Sequence, residues 1–387
     1  MQFTFATANR IIFGPGSAGT VGRLAATMGT RPLVVTGSST HRAAPVLDAL
    51  REVGLEAVIF SVPHEPTTEL VRDGTDRARE AGCDLVVGVG GGSVIDAGKA
   101  IAALLANGGV PLDYLEVIGR GQPLTERSAP YIAIPTTAGT GTEVTANAVL
   151  ASPEHRVKVS LRGPQILPHV AIVDPELTYT MPPGVTASTG LDAFTQVLEP
   201  YVSRQANPIT DAFCREGLWR AAGSLRRAYE HGDDTEAREN MALVSLLGGL
   251  SLANAKLGAV HGFAGVIGGM FDAPHGALCG RLLPLVMAAN VRALLARDRD
   301  NPALGRYAEV AAILTGDLEA GPAAGVAWVE GVCEALAVPG LGSYGIASGA
   351  FDEIIAKSQQ SSSMKGNPVV LPKETLAALW RSVTKTS

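Results

Sequence analysis

Cysteine is scarce in this 387-residue sequence: only Cys83, Cys214, Cys279 and Cys333 occur, and no two of them form a C-x-x-C pair. Such usage gives no disulfide framework and suits a reducing cytoplasm. Basic runs are missing too. With a formal net charge of −6 and no cluster of Lys or Arg, nucleic acid is not an expected partner. The N-terminal MQFTFATANRIIFGPG lacks a basic start followed by an apolar run, so no signal peptide is expected. The most apolar region, from about Leu243 to Phe271, is interrupted by Lys256 and His261 and reads as a buried helix pair instead of a membrane span. Charged residues make up 18% and hydrophobic residues 46%, enough for large cores and against disorder.

Glycine is what the chain has in plenty. Several of its 45 glycines cluster where a backbone could approach a ligand closely. The length suits two domains. In the first half, apolar β-rich runs alternate with helical ones: PLVVTG (32–37), APVLDALREVG (44–54), EAVIFSV (56–62), TELVRDGTDRAREAG (68–82), DLVVGVG (84–90), SVIDAGKAIAALLAN (93–107) and YIAIPTT (131–137). The alternation predicts a doubly wound, mostly parallel, Rossmann-like α/β sheet. After VAIVDPEL (170–177) and the break at Pro182 and Pro183, long helical stretches follow: 186–203, 208–232, 235–256 and 374–383. The expected division is an α/β dinucleotide-binding domain over 1–180 and an all-helical metal-binding and substrate domain over 181–387. The cleft between two such domains is the default active site.

Two loops after strands have the composition of a cofactor crevice. GVGGGSVIDAGK (88–99) runs from strand into helix. Gly90, Gly91 and Gly92 allow close approach, the helix start offers N–H groups to phosphate, and Ser93 is placed to cap it. The spacing is not G-x-G-x-x-G, because Ser93 stands where the third glycine belongs. PTTAGTGTEVT (135–145) supplies hydroxyls from Thr136, Thr137, Thr140 and Thr142. A tight turn or capping loop without ligand is the plain alternative for each.

Asp192, Gln196, His261 and His275 carry the remaining chemistry. Asp192 lies early in a predicted helix, with Gln196 one turn later on the same face. One carboxylate and two imidazoles make a three-ligand metal set with an open position. Taken singly, each histidine is more often structural.

The sequence resembles the iron-dependent, group III alcohol dehydrogenase family. The matches are FGPGS (13–17), GGGSVIDAGK (90–99), PTTAGTGTE (135–143), VDPEL (173–177), TGLDAFT (189–195), VHGFAG and FDAPHG (within 260–276) and GNP (366–368), in the family's order and across nearly the whole chain. The resemblance implies a dehydroquinate synthase-like architecture. It implies an enzyme that moves hydride between an alcohol and NAD(P), with a divalent metal polarising the substrate oxygen. By position, Gly90, Gly91, Gly92 and Ser93 would hold the pyrophosphate. Asp96 is counted with the same cofactor set. Thr136, Thr137 and Thr140 would line the ribose and nicotinamide, and Lys158 and Leu177 the nucleotide side. Asp192, His261 and His275 fall on metal-ligand positions, with Gln196 where relatives carry a further histidine.

Three departures follow from that comparison. Gln196 offers only a neutral amide oxygen. Gly265 replaces a histidine that is usually near substrate, which removes a proton relay. Gly37, followed by Ser38 and Ser39 with Arg42 close by, replaces an acidic residue that would bind ribose hydroxyls. Its loss favours NADP, or dual use, over NAD alone. The metal is iron or zinc first, with nickel and manganese open. The implied partner is a small alcohol or carbonyl compound, with no nucleic acid and no membrane, and the implied assembly is a homodimer or larger. Phe194, Phe263, Phe271 and segment 361–368 are candidates for substrate lining, and Lys365 for an anionic group. Other readings stay open: a metal-independent reductase of an activated carbonyl such as an oxo acid, similar to maleylacetate reductases; a lyase like dehydroquinate synthase; and a catalytically silent homologue.

Overall fold

The computed structural model describes residues 2–346 and 348–378. Its chain divides into two compact units, one of Phe5–Thr180 and one of Met1–Thr4 with Met181–Ser387. The first unit holds strands β1 (Arg10–Phe13), β2 (Pro32–Thr36), β3 (Val58–Ser61), β4 (Leu85–Gly90), β5 (Tyr131–Pro135), β6 (Asn147–Ser152), β7 (Val157–Arg162) and β8 (Val170–Val173). Its helices are α1 (Val21–Ala25), α2 (Ala44–Glu52), α3 (Thr68–Glu80), α4 (Gly92–Asn107) and α5 (Pro111–Tyr114). Six strands form one sheet in the order β1-β8-β5-β4-β2-β3, with every pairing parallel.

Both faces of the sheet are covered. Leu33 and Val35 of β2 enter one core with Val71 of α3 and Ile95 and Ile101 of α4. Val34 between them enters the other, with Val21 of α1 and Val46 and Leu50 of α2. Tyr131 and Ala133 of β5 go to the first core, Ile132 and Ile134 to the second. A strand buried on both sides needs no polar face, hence the continuous apolar runs. Edge strand β3 differs: its residues alternate between half-buried and exposed, and it is shorter than the 56–62 read from the sequence.

Two features were not legible as apolar runs. β1 is short and pairs only with β8. β6 and β7 form an antiparallel hairpin without an Asn-Gly turn, and β7 carries Lys158 and Arg162, so the stretch looks like a loop. Helices α2 and α3 stop near the expected glycines, with Gly54 and Gly82 in positive φ, which supports glycine termination of both.

The parallel order sets the C-terminal ends of β8, β5, β4 and β2 side by side. The loops leaving them carry VDPEL, PTTAGTGTE, GGGS and GSS. In a parallel sheet this edge is where ligands bind.

The second unit is built from helices α6 (Pro183–Val202), α7 (Pro208–Glu230), α8 (Thr235–Ala255), α9 (Ala259–Met270), α10 (His275–Arg297), α11 (Pro302–Thr315), α12 (Pro322–Ala335) and α13 (Phe351–Gln360). Proline at the start of α6, α7, α11 and α12 sits where a missing N–H costs nothing. The apolar region 243–271 proves to be parts of α8 and α9, which meet at a bend of 100°, with Lys256 at the turn in positive φ. α10 is long and apolar enough to cross a membrane, but most of its apolar stretch is buried within the fold. The helical stretch expected at 374–383 lies partly outside the described residues; 373–378 are helical.

Candidate metal centre and cofactor loops

The two glycine- and threonine-bearing loops of the first unit touch. The N–H of Thr136 donates to the carbonyl of Gly90 at 2.9 Å. A Cβ on Gly92 would lie 2.7 Å from Thr140 Cγ2, and one on Gly91 would lie 3.4 Å from Thr137 Cγ2. Glycine at position 92 is therefore a packing requirement of the loop pair. α4 begins at Gly92 with Gly91 as its N-cap, and no side chain among the described residues caps it. This corrects the role expected of Ser93, which lies inside the first turn. The start of α4 thus keeps backbone N–H groups and the positive end of its dipole for an anion.

The neighbouring loops fall in place around it. Gly37 and Ser38 follow β2, and nothing described lies within 4 Å of a Cβ on Gly37. Leu177 lies in the short turn after β8 and packs on the core shared with α1 and α2. The Asp174 carboxylate accepts N–H groups of Gly16 at 3.1 Å and Ala18 at 2.9 Å, which ties VDPEL to FGPGS.

Two cofactor candidates have side chains committed within the protein. Asp96 accepts a hydrogen bond from the Thr142 hydroxyl at 2.5 Å and from the Val149 N–H at 3.0 Å, and pairs with Lys99 at 3.3 Å. Its carboxylate braces α4 against the 142–149 segment. Lys158 pairs with Glu65 at 2.6 Å.

In the second unit, three helices converge on one point. α6 presents Asp192, Gln196 and Glu199 at i, i+4 and i+7, which is one helix face. α9 brings His261 in its first turn, and α10 opens with His275 and places Cys279 one turn later. The close approach of α10 to α6 depends on Gly276, where a Cβ would stand 1.9 Å from the Ser188 carbonyl oxygen.

The donor atoms of Asp192, His261, His275 and Cys279 all lie within 4.8 Å of one another. From Asp192 Oδ1 the distances are 3.2 Å to His261 Nε2, 3.8 Å to His275 Nε2 and 3.7 Å to Cys279 Sγ. Cys279 Sγ is 3.9 Å from His261 Nε2. The two imidazole rings are tilted by 52° with centroids 5.4 Å apart. Asp192, His261 and Cys279 are buried, and the His275 side chain is 36% exposed. The structure thus brings together the three predicted donors. Gln196 is buried beside them and bonds to Asp192.

Glu199 and Cys279 are the residues that sequence reasoning missed. Glu199 Oε2 is 2.7 Å from His261 Nδ1, and Oε1 accepts the Val260 N–H at 2.7 Å. A carboxylate only accepts, so His261 Nδ1 carries a hydrogen, which leaves Nε2 as the nitrogen that faces Asp192. The signal was helical spacing: Glu199 is seven residues after Asp192, and Cys279 four after His275. The GNP motif supports the site from behind, since Asn367 Oδ1 accepts the Ala259 N–H at 3.2 Å at the start of α9 and bonds with Asn290.

Electrostatics are consistent with a cation at this point. Burial alone would raise the Asp192 carboxyl, but the His275 and His261 imidazoles outweigh it and hold the carboxyl below its ordinary range. Burial alone would lower His261, but Cys279, Asp192 and Glu199 raise it well above the ordinary imidazole value, and Cys279 and Asp192 raise His275. An imidazole lone pair facing a carboxylate oxygen is repulsive unless a positive charge lies between them. Either protons or a metal ion satisfy that need, and a metal displaces the protons. Gln196 Oε1 adds a buried oxygen with no hydrogen-bond partner among the described residues. One carboxylate, two imidazoles and a thiol suit a divalent transition metal.

Comparison with known proteins decides the lineage. Residues 8–175 match the iron-containing alcohol dehydrogenase family, and residues 186–384 match the C-terminal part of the Fe-containing alcohol dehydrogenase family.

The chain belongs to the iron-containing alcohol dehydrogenase family.

It is 35% identical over 372 residues to the choline dehydrogenase of Bacillus subtilis (strain 168), covering 94% of this chain and 91% of that one. It is 38% identical over 297 residues to the 1,3-propanediol dehydrogenase of Klebsiella pneumoniae, covering 75% and 76% of the two. A crystal structure of a 1,3-propanediol oxidoreductase superposes with a TM-score of 0.91 at 33% identity, over 99% of this chain and 100% of that one. The family membership makes this an enzyme, an alcohol dehydrogenase that transfers hydride between an alcohol and an aldehyde or ketone with NAD(P) and a divalent metal.

Gly265 is exposed on α9, one turn after His261, and open space surrounds a Cβ added there. Phe194 and Phe263, expected near substrate, are fully buried, Phe194 against Trp328. Lys365 is exposed.

Proposed function

We propose that Asp192, His261 and His275 hold the divalent metal, with Gln196 as a weak neutral neighbour, and that the first unit binds the dinucleotide while the helical unit binds metal and substrate. The observation that carries this reading is the convergence of three donors from α6, α9 and α10 within 4.8 Å. When bound, the metal supplies Lewis acidity at the substrate oxygen.

The protein's own groups do the positioning. Glu199 fixes the His261 tautomer, so Nε2 presents its lone pair beside Asp192. The start of α4, with Gly90, Gly91, Gly92 and Ser93, takes the pyrophosphate through backbone N–H groups. Thr136, Thr137 and Thr140 place hydroxyls against the same turn, and Leu177 and Lys158 lie farther along the nucleotide. Gly265 contributes no proton carrier, so proton release from the alcohol goes to solvent instead of through an imidazole there.

Cofactor choice follows from the loop after β2. Gly37, Ser38 and Ser39 carry no charge, and His41 and Arg42 are the nearest ionisable groups in the sequence. NADP, or both cofactors, is the preference this composition supports. The four free cysteines support a reducing, cytoplasmic location, and family precedent supports a homodimer or larger. The substrate is a small alcohol or its carbonyl partner.

The test is a screen of carbonyl compounds with NADH and NADPH, read as loss of reduced-nicotinamide absorbance, together with elemental analysis of the purified protein. Stoichiometric metal and a rate abolished by chelator and restored by added metal are expected. Protein that contains no metal and is indifferent to chelator would overturn the ligand assignment.

A further inference from the structure

The sequence reading left a site poorer by one ligand, because Gln196 stands where relatives carry an imidazole. The structure supplies a donor from elsewhere. We propose that Cys279 is a metal ligand, its thiolate completing an Asp-His-His-Cys set with Asp192, His261 and His275. The proposal rests on the metal site of the preceding section and names the fourth donor in it.

Geometry carries the argument. A tetrahedral metal with metal–sulfur bonds near 2.3 Å and metal–nitrogen or metal–oxygen bonds near 2.0 Å requires edges of about 3.3 Å between nitrogen or oxygen donors and about 3.6 Å from sulfur to either. The observed edges are 3.2 Å and 3.8 Å for His261 and His275 to Asp192, and 3.7 Å and 3.9 Å for sulfur to Asp192 and His261. These four edges depart from their tetrahedral counterparts by about 0.1 to 0.5 Å, the His275–Asp192 edge most, and the two remaining edges, from His275 to His261 and to Cys279, are no longer than 4.8 Å.

Placement supports it. His275 and Cys279 are one helical turn apart on α10, so both side chains leave the same face. The other fully buried thiols sit differently. Cys333 donates to the Gly280 carbonyl at 3.1 Å, and Cys214 lies beside Ser251. Cys279 instead meets a carboxylate oxygen and an imidazole nitrogen. These are poor company for a thiol that merely fills a core.

Ligation is a proton-for-metal exchange. The Cys279 Sγ–H bond breaks, the proton leaves to solvent, and sulfur donates an electron pair to the metal with no change of oxidation state. A thiolate in place of a third imidazole makes the set softer. Softer sets favour zinc or cobalt(II) over metals that prefer oxygen.

The experiment uses the full chain stripped with chelator and reloaded with Co(II) or Zn(II). Expected results are a near-ultraviolet thiolate-to-cobalt charge-transfer band in the cobalt protein and, by X-ray absorption at the zinc edge, one sulfur neighbour at about 2.3 Å beside nitrogen and oxygen neighbours at about 2.0 Å. Cys279→Ser should lose both signatures and bind zinc at least tenfold more weakly in competition with a chromophoric chelator. Cys214→Ser and Cys333→Ser should lose neither. Stoichiometric metal with no sulfur neighbour in the unmodified protein would overturn the role of Cys279 and leave the three-ligand site standing. Failure to take up any metal would overturn both. The absorption measurement needs no variant, so a folding defect in Cys279→Ser does not blunt it.

Discussion

Glu199 Oε2 lies 2.7 Å from His261 Nδ1, and Glu199 Oε1 accepts the Val260 N–H at the same distance. One buried carboxylate therefore caps the start of α9 and holds Nδ1 of the imidazole proposed as a metal ligand. Glu199→Gln keeps the shape but leaves one of the two N–H groups facing an amide NH2. Metal affinity is expected to fall about 10- to 100-fold, as when a partner behind a histidine ligand is lost. Folding stability should fall by about 1–3 kcal/mol for the unsatisfied buried donor. Metal titration against a competing chelator and urea unfolding of the stripped protein measure the two losses. Unchanged affinity would show that the tautomer of His261 does not matter to the site.

Gln196→His tests the other flank. Gln196 is buried on the Asp192 face of α6, and its Oε1 has no hydrogen-bond partner among the described residues. An imidazole there is a stronger ligand than an amide oxygen. The expected gain in metal affinity is about tenfold, or about 1.4 kcal/mol, and larger in a Cys279→Ser background. The same chelator competition reads it. A gain equal in both backgrounds would mean that the two positions do not serve one ion.

The parts of this molecule that were legible in the sequence are those with a strong local cause. Strands β2, β4 and β5 were readable because burial on both faces makes them apolar throughout. Asp192 and Gln196 were readable because a helix spaces them by one turn, and the glycine turn because backbone packs against Thr140. Glu199 and Cys279 were hidden for a shared reason: their meaning depends on which helices meet, and α6, α9 and α10 are brought together only by tertiary packing such as Gly276 against Ser188. The partners of Asp96 depend on tertiary packing in the same way. Its motif sits in the cofactor turn, but its side chain points to Thr142, Val149 and Lys99. The hairpin of β6 and β7 escaped notice because its half-buried strands and charged residues give a weak pattern.

The buried network around Lys99 gives the first unit a pH dependence. Lys99 is fully buried and donates to the Thr142 hydroxyl at 2.6 Å, the Thr142 carbonyl at 2.8 Å and the Thr145 hydroxyl at 3.0 Å. Burial, aided by Asp96, pushes the nearby Glu143 carboxyl up to about 7 from 4.5, against the pull of its own backbone N–H and of Lys99. The folded chain therefore holds this proton more tightly than the unfolded chain. Its contribution to stability is full below about pH 4.5 and is lost as pH rises through about 7. A difference of about 2.5 in pKa corresponds to about 3 kcal/mol. Glu143→Gln should remove that slope. Relative to the unmodified protein, the variant should gain on the order of 3 kcal/mol between about pH 5 and about pH 8, measured by urea unfolding across that range. A gap between the two proteins that is constant with pH would place the Glu143 titration elsewhere.

The proposed cofactor preference can be tested at a single position. Gly37 follows β2, next in the sheet to the strand that feeds the glycine turn. It is not among the glycines in positive φ, and open space surrounds a Cβ added there. Aspartate should therefore fit without backbone strain. A carboxylate at this point accepts hydrogen bonds from the ribose hydroxyls of NAD and repels the 2′-phosphate of NADP. In Gly37→Asp the ratio of kcat/KM for NADPH to that for NADH should fall at least tenfold, or by about 1.4 kcal/mol of discrimination. The loss should appear mainly as a higher KM for NADPH, since the 2′-phosphate is remote from the reacting carbon and its contacts are the same in ground and transition states. Raised salt should narrow the difference by screening the repulsion. Steady-state kinetics with both cofactors at low and high ionic strength decide the matter. Equal effects on NADH and NADPH would show that the loop after β2 does not meet the 2′ position.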